Sequence, residues 1–239
     1  MTLLQDVIND TQGTGPVAGL LRKLKVLATR TGAPEMLQWV NQELNGYPRN
    51  SPVPTYRGPF TTMPRAQFIG PAGFSVKNHV VRRSVFPEEA QSSYLFEMKL
   101  PHPVAEVESF AASEDETSFG WPAEALAMYN YLIEQGKGDV DPMLRCVGVR
   151  YSVPDHVFVG ILDQIRNKAL DLALELEAVA PDAGEPDASD DTKREARQVI
   201  VNYNFLGTDM SGANNAFGGS GFGQMLGGLL PGAVGTTGE

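Results

Sequence analysis

The chain has 239 residues, 42% hydrophobic and 20% charged, a globular composition with room for one sizeable core or two small ones. A formal charge of −10 argues against broad binding to a nucleic-acid backbone, so nucleic acid is not the expected partner. The single cysteine excludes an internal disulfide framework and a Cys-based zinc site, and fits a reducing compartment, with the cytoplasm as the default expectation.

Leu3, Leu4, Val7 and Ile8 suit a short amphipathic helix that ends in the polar break Thr11 to Gly15. The opening MTLLQDVIND has no basic region followed by a long apolar core, so it is not a secretory signal, and no stretch approaches a membrane span. Val17, Leu20, Leu21, Leu24 and Leu27 then form one face of a second helix, with Arg22, Lys23, Lys25 and Arg30 off it. Gly32 stops that helix, Pro34 starts another, and Met36, Leu37, Val40 and Leu44 supply its stripe before Asn45 and Gly46 close it.

Recurrent prolines from Pro48 to Pro71 preclude a long helix and favour a loop-rich excursion, with edge strands at most over Val53 to Arg57 and Gln67 to Ile69. Alternation predicts a strand over Tyr94 to Leu100, with Val76 to Phe86 as its partner. Pro103 opens a short helix that faces Val104, Val107 and Phe110 inward, and Pro122 opens another carrying Ala125, Leu126, Tyr129, Leu132 and Ile133, ended by Gly136. Leu144 to Tyr151 reads as a strand with Val147, Val149 and Tyr151 on one side. Ser152 is placed to cap the longest helix, Val153 to Val179.

The acidic PDAGEPDASDD composition defines a linker, and Val199, Val201, Tyr203 and Phe205 alternate as in a strand. The expected organisation is therefore an α+β domain over residues 1–180, mainly helical with a small antiparallel sheet. An acidic linker (181–197), a C-terminal strand (198–206) and a flexible Gly- and Asn-rich tail (207–239) follow.

LLRKLKVLATRTGAPEMLQWVNQELNGY followed by VPTYRGPF resembles the opening of the AbiTii domain of bacterial abortive-infection proteins, and ILDQIRNKALDLALELEAVAP resembles the long helix that ends it. The resemblance brackets residues 2 to 181. It implies a role in anti-phage defence, in which the infected cell is disabled before virions are released, and it brings no catalytic residues with it.

The candidate interaction surface comprises Tyr47, Tyr56 and Arg57 just after the helix pair of residues 17–46, Arg166 and Asn167 on the long helix, and Tyr203 and Phe205 on the C-terminal strand. A structural reading competes at each: Trp39 in the core, Glu43 paired with Arg57 to hold the Pro-rich segment, and Asp163 paired with Arg166 or Asn167. His79, His102 and His156 are widely separated, so no metal site is called, and no cofactor is called either. Cys146 reads as a small core residue.

The function expected is an interaction or assembly module of abortive infection, self-associating through the C-terminal strand or tail, or binding a phage or defence-system protein. The alternatives are a toxin enzyme acting on nucleic acid or nucleotides, and an effector that reaches membranes through the apolar tail FGQMLGGLLPGAVG.

Overall fold

The structure is a computed structural model that describes residues 1–49 and 51–205. The chain up to Asn45 is helical. Helix α1 (Leu3–Gln12) starts at a capping box made by Thr2 and Gln5, α2 (Val17–Thr31) ends at Gly32 with φ 66°, and α3 (Pro34–Asn45) carries Pro34 in its first turn. The α2 stripe Val17, Leu20, Leu21, Leu24 and Leu27 is buried, against α1, α3, α5 (Val104–Ala111), α7 (Asp155–Val179) and α8 (Asp190–Asn202). Removing any one of these leucines should cost about 2 to 5 kcal/mol through lost transfer energy and the cavity left behind.

Most of the remaining elements are strands, and the larger sheet builds a second hydrophobic core while Phe60 and Met98 pack into the first. Strands β1 (Phe60–Thr61) and β4 (Glu97–Met98) form a short antiparallel pair, while β2 (Arg65–Ile69), β3 (Ser75–Val80), β5 (Thr117–Gly120) and β6 (Arg145–Val153) form a four-stranded antiparallel sheet in the order β3-β2-β6-β5. A short helix, α4 (Glu88–Gln91), precedes β4. Helix α6 (Ala123–Glu134) covers one face of the sheet, packing Ala125, Tyr129, Leu132 and Ile133 with Ala66, Phe68, Cys146 and Val149. Asn130 of α6 accepts from the Cys146 N–H at 2.8 Å and donates to its carbonyl at 3.0 Å, completing β6 where β5 does not reach.

The α+β class and the long helix agree with the sequence, but several local expectations change. Tyr94 to Leu100 is not a continuous strand: Leu95 and Phe96 are both buried while Tyr94 is 60% exposed, so the alternation fails, and β3 pairs with β2 instead of this segment. Thr55–Arg57 is a 3₁₀ turn and not an edge strand. A register shift leaves Val147 as the extra residue of β6, 46% exposed, and turns both Cys146 and Val149 inward, so the simple alternation breaks there. Pro154, not Ser152, stands at the N-cap of α7.

The largest correction is at the C-terminal end. Residues 181–197 are not a free linker: Ala183 is buried, Arg30 donates to the Gly184 carbonyl, and Glu185 accepts the Leu3 N–H at 2.8 Å. Of the expected strand 198–206, the described part, to residue 205, is the end of α8 and its exit. Ser189 caps α8 by accepting from Thr192 N at 3.1 Å, Asp190 and Asp191 favour its positive end, and Ala196, Val199, Ile200 and Tyr203 follow helical spacing. The alternation of Val199, Val201, Tyr203 and Phe205 is too short to prevail against those start signals. The tail 207–239 lies outside the described residues.

Candidate functional site

Three of the seven candidate residues meet on one buried carboxylate, and two more join them through Trp39. Glu43 accepts the Tyr47 hydroxyl at 2.6 Å, the Tyr56 hydroxyl at 2.7 Å and Arg57 Nε at 3.1 Å, with Arg57 Nη2 also on its second oxygen. Arg57 spends its remaining Nη1 on the carbonyls of Leu100 at 2.8 Å and His102 at 2.9 Å. Burial, then the Glu43 charge, raises the pKa of both Tyr47 and Tyr56, so both stay neutral donors. Trp39 donates its indole N–H to Tyr56 at 2.9 Å, Phe205 stacks on Trp39, and Tyr203 touches Phe205.

This cluster is a brace. Arg57 is fully buried, Tyr47 is 6% exposed and Phe205 7% exposed, so these side chains are occupied inside the fold. Tyr203 packs from the helix exit and donates to the Lys168 carbonyl at 3.1 Å, and Lys168 donates to the Asn204 carbonyl at 3.1 Å. Arg166 is not part of it: its guanidinium donates to the Asp10 carbonyl at 3.1 Å and to the Gly15 carbonyl, pinning the α1–α2 turn. Asn167 is exposed and donates to Asp163 at 3.2 Å.

A second polar cluster joins β3 to the end of α6. Asp139 lies 3.0 Å from His79 Nε2 and accepts the Tyr129 hydroxyl at 2.8 Å, with Arg82 at 4.0 Å. Burial pushes the Asp139 carboxyl up, but the His79 and Tyr129 hydrogen bonds outweigh it and hold it below the usual carboxylate value. Cys146, whose thiol burial pushes up, is a buried core residue. Among the described residues no group of three or more His, Cys, Asp or Glu is placed to hold a metal ion.

The surface that the sequence did not single out is the outward face of the four-stranded sheet. Strands β2, β3, β5 and β6 contain no Asp or Glu, in a chain with 29 of them. On the face away from α6, Arg65 stands directly opposite Arg150, and Ile69 opposite Arg145. Among the described residues none of the three arginines makes an ion pair; Arg65 reaches only the Asn78 carbonyl, at 3.3 Å. Ile69, Val147 and Val80 lie beside them, exposed by 48%, 46% and 39%. Like charges directly opposite weaken a sheet, so this arrangement lacks a reason in the fold itself. No motif announces it, because Arg65 and Arg150 lie far apart in the chain and meet only through the β2–β6 register.

Among the described residues no helix is long and apolar enough to cross a membrane. No curated protein and no solved structure matches the chain. The AbiTii family model matches residues 2–202, from the cap of α1 to the last residue of α8, which includes the segment after Pro181 that the opening resemblance leaves out. With that match spanning the elements of both cores, the chain belongs to the AbiTii family of abortive-infection proteins, and its role is in anti-phage defence.

Proposed function

We propose that the protein serves abortive infection as a binding module, and that the outward sheet face docks an acidic surface of a partner protein. The observation that carries this reading is the unpaired cross-strand Arg65 and Arg150, with Arg145 nearby and no carboxylate in the four strands. Arginine interspersed with exposed Ile69, Val80 and Val147 has the composition of a protein interface, where Arg is enriched and acidic side chains are depleted. A complementary acidic partner would relieve the arginine repulsion and gain from covering the apolar residues.

Self-association through a C-terminal strand is replaced by this surface, since that segment is helical and Tyr203 and Phe205 pack on their own body. The test is phage plaquing on cells carrying the full chain against Arg65→Ala/Arg150→Ala, with melting of both purified proteins. Loss of protection by tenfold or more at an unchanged melt is expected; full protection by the double variant overturns the reading. A photo-crosslinker at Ile69 separates the occupants during infection. A crosslink to another polypeptide through an acidic segment, lost in the double variant, is expected, whereas a nuclease-sensitive crosslink or a crosslink only to a second copy overturns the assignment of partner.

A further inference from the structure

A cleft of about 640 Å³ opens where the two hydrophobic cores meet. Pro48, Arg49 and Ser51 of the proline-rich excursion form one wall, and Tyr94, Glu97 and Lys99 form another. Trp121 and Tyr151 contribute from the sheet side. Tyr151 packs against both cores, so the cleft lies on their seam, the kind of junction where ligand sites concentrate, and its size falls within the roughly 300 to 1,000 Å³ typical of such sites.

Its charged groups are unspent, while Ser51 and Ser93 donate to the backbone carbonyls of Pro48 and Ala90. Arg49 and Lys99 are exposed and, among the described residues, make no ion pair, and Glu97 makes none either. Tyr151 is half-buried and stacks on Phe119 with centroids 5.9 Å apart. Burial raises the pKa of Tyr151, which keeps its hydroxyl a neutral donor. Tyr94 stands 60% exposed on the rim. Trp121, by contrast, has its N–H satisfied by the Leu95 carbonyl at 3.1 Å and offers only ring surface. Pro59, Pro101 and Pro122 stiffen the walls, so little ordering would accompany binding.

Two cations among the lining residues, one on each wall, ask for an anion that can be approached from two directions, and phosphate fits both guanidinium and ammonium. Aromatic surface beside them asks for a planar ring. One carboxylate, Glu97, asks for a donor, such as a ribose hydroxyl or an exocyclic amine. We infer that this cleft binds a mononucleotide, its phosphate held by Arg49 and Lys99 and its ring set against the tyrosines. The site is independent of the sheet-face reading, because neither cation belongs to the sheet. A ligand there bridges the two cores and stabilises their packing by mass action.

Titration calorimetry and thermal melting of the full chain, with AMP, GMP, CMP and UMP, test this beside adenosine, ribose 5-phosphate and inorganic phosphate. At least one mononucleotide should bind saturably with a dissociation constant below 1 mM and raise the melting temperature. Adenosine, ribose 5-phosphate and phosphate should each bind at least tenfold more weakly. Arg49→Ala/Lys99→Ala should weaken the mononucleotide tenfold or more while the free protein melts as the parent does. Absence of binding by all four, equal binding of ribose 5-phosphate, or undiminished binding by the double variant would each overturn the inference. If the double variant melts early, Lys99→Gln and Arg49→Gln taken singly must each still weaken binding.

Discussion

Glu43 and Arg57 form an ion pair in which neither side chain is exposed to solvent. Their mutual attraction must offset the desolvation of two charges, and it does so with help from Tyr47, Tyr56 and two backbone carbonyls. Removing one partner strands the other. Glu43→Ala is therefore expected to destabilise the protein by about 3 to 5 kcal/mol in urea unfolding, and Glu43→Leu/Arg57→Met should be less damaging than the sum of its single changes.

Trp39 and Phe205 predict the stability of the C-terminal segment. Their rings stack with centroids 5.1 Å apart, so the segment between Pro181 and Phe205 belongs to the core. Phe205→Ala and Trp39→Ala should each cost up to about 3 to 5 kcal/mol. A chain ended at Pro181 should melt well below the parent, and limited proteolysis of the full chain should spare the bonds between Pro181 and Lys193; rapid cleavage there would contradict the packing of Ala183, Ala196 and Ile200.

Arg150 offers a case in which stability and function should move in opposite directions. Arg150→Glu converts a repulsive cross-strand pair with Arg65 into an attractive one, worth about 0.2 to 1 kcal/mol. The variant should melt no lower than the parent and still lose protection against phage. Protection retained at raised stability would mean that the arginine pair serves no partner.

Acid should weaken the fold in two steps. Burial, then the nearby Arg57 charge, against the opposing pull of Glu106, holds His102 below its ordinary value of 6.5, and its Nδ1 is buried without a partner. The folded protein thus favours the neutral ring. Its contribution is present above pH 6.5 and is lost as pH falls through the lower folded value, because the unfolded chain binds the proton first. Asp139, also lowered, contributes above its ordinary 3.8 and loses that contribution as pH falls through its folded value. Urea midpoints measured from pH 7.5 to pH 3 should decline across both windows, and His102→Leu should flatten only the first.

His79 tests the toxin-enzyme alternative, since an Asp-oriented imidazole is the arrangement a general base would use. On the binding-module reading His79→Gln keeps protection and lowers the melting temperature by loosening β3 from Asp139. Protection abolished at an unchanged melt would instead favour catalysis.

Much of this molecule is written locally. Gly32, Pro34 and the leucine stripe of α2 specify the first helix pair because capping and 3.6-residue periodicity act over a few residues, and the same holds for α7. The pairing of Glu43 with Arg57 is legible too, since a buried charge near a proline-rich turn needs a partner at hand. Tertiary contacts decided the rest. Val199 to Phe205 alternates like a strand but is carried by a capped helix and its exit, the helix packing on α2 and α7 with Ile200 buried, and Leu95 and Phe96 abandon alternation to fill the second core. Which arginines face each other depends on the register of β2 against a bulged β6, a long-range hydrogen-bond pattern with no local signature. The sequence by itself therefore determined the helices and the α+β class, through short-range backbone preferences and apolar spacing. Only the folded structure decided that the C-terminal segment closes the core and that Arg65 and Arg150 share one open face, because both depend on contacts between residues distant in the chain.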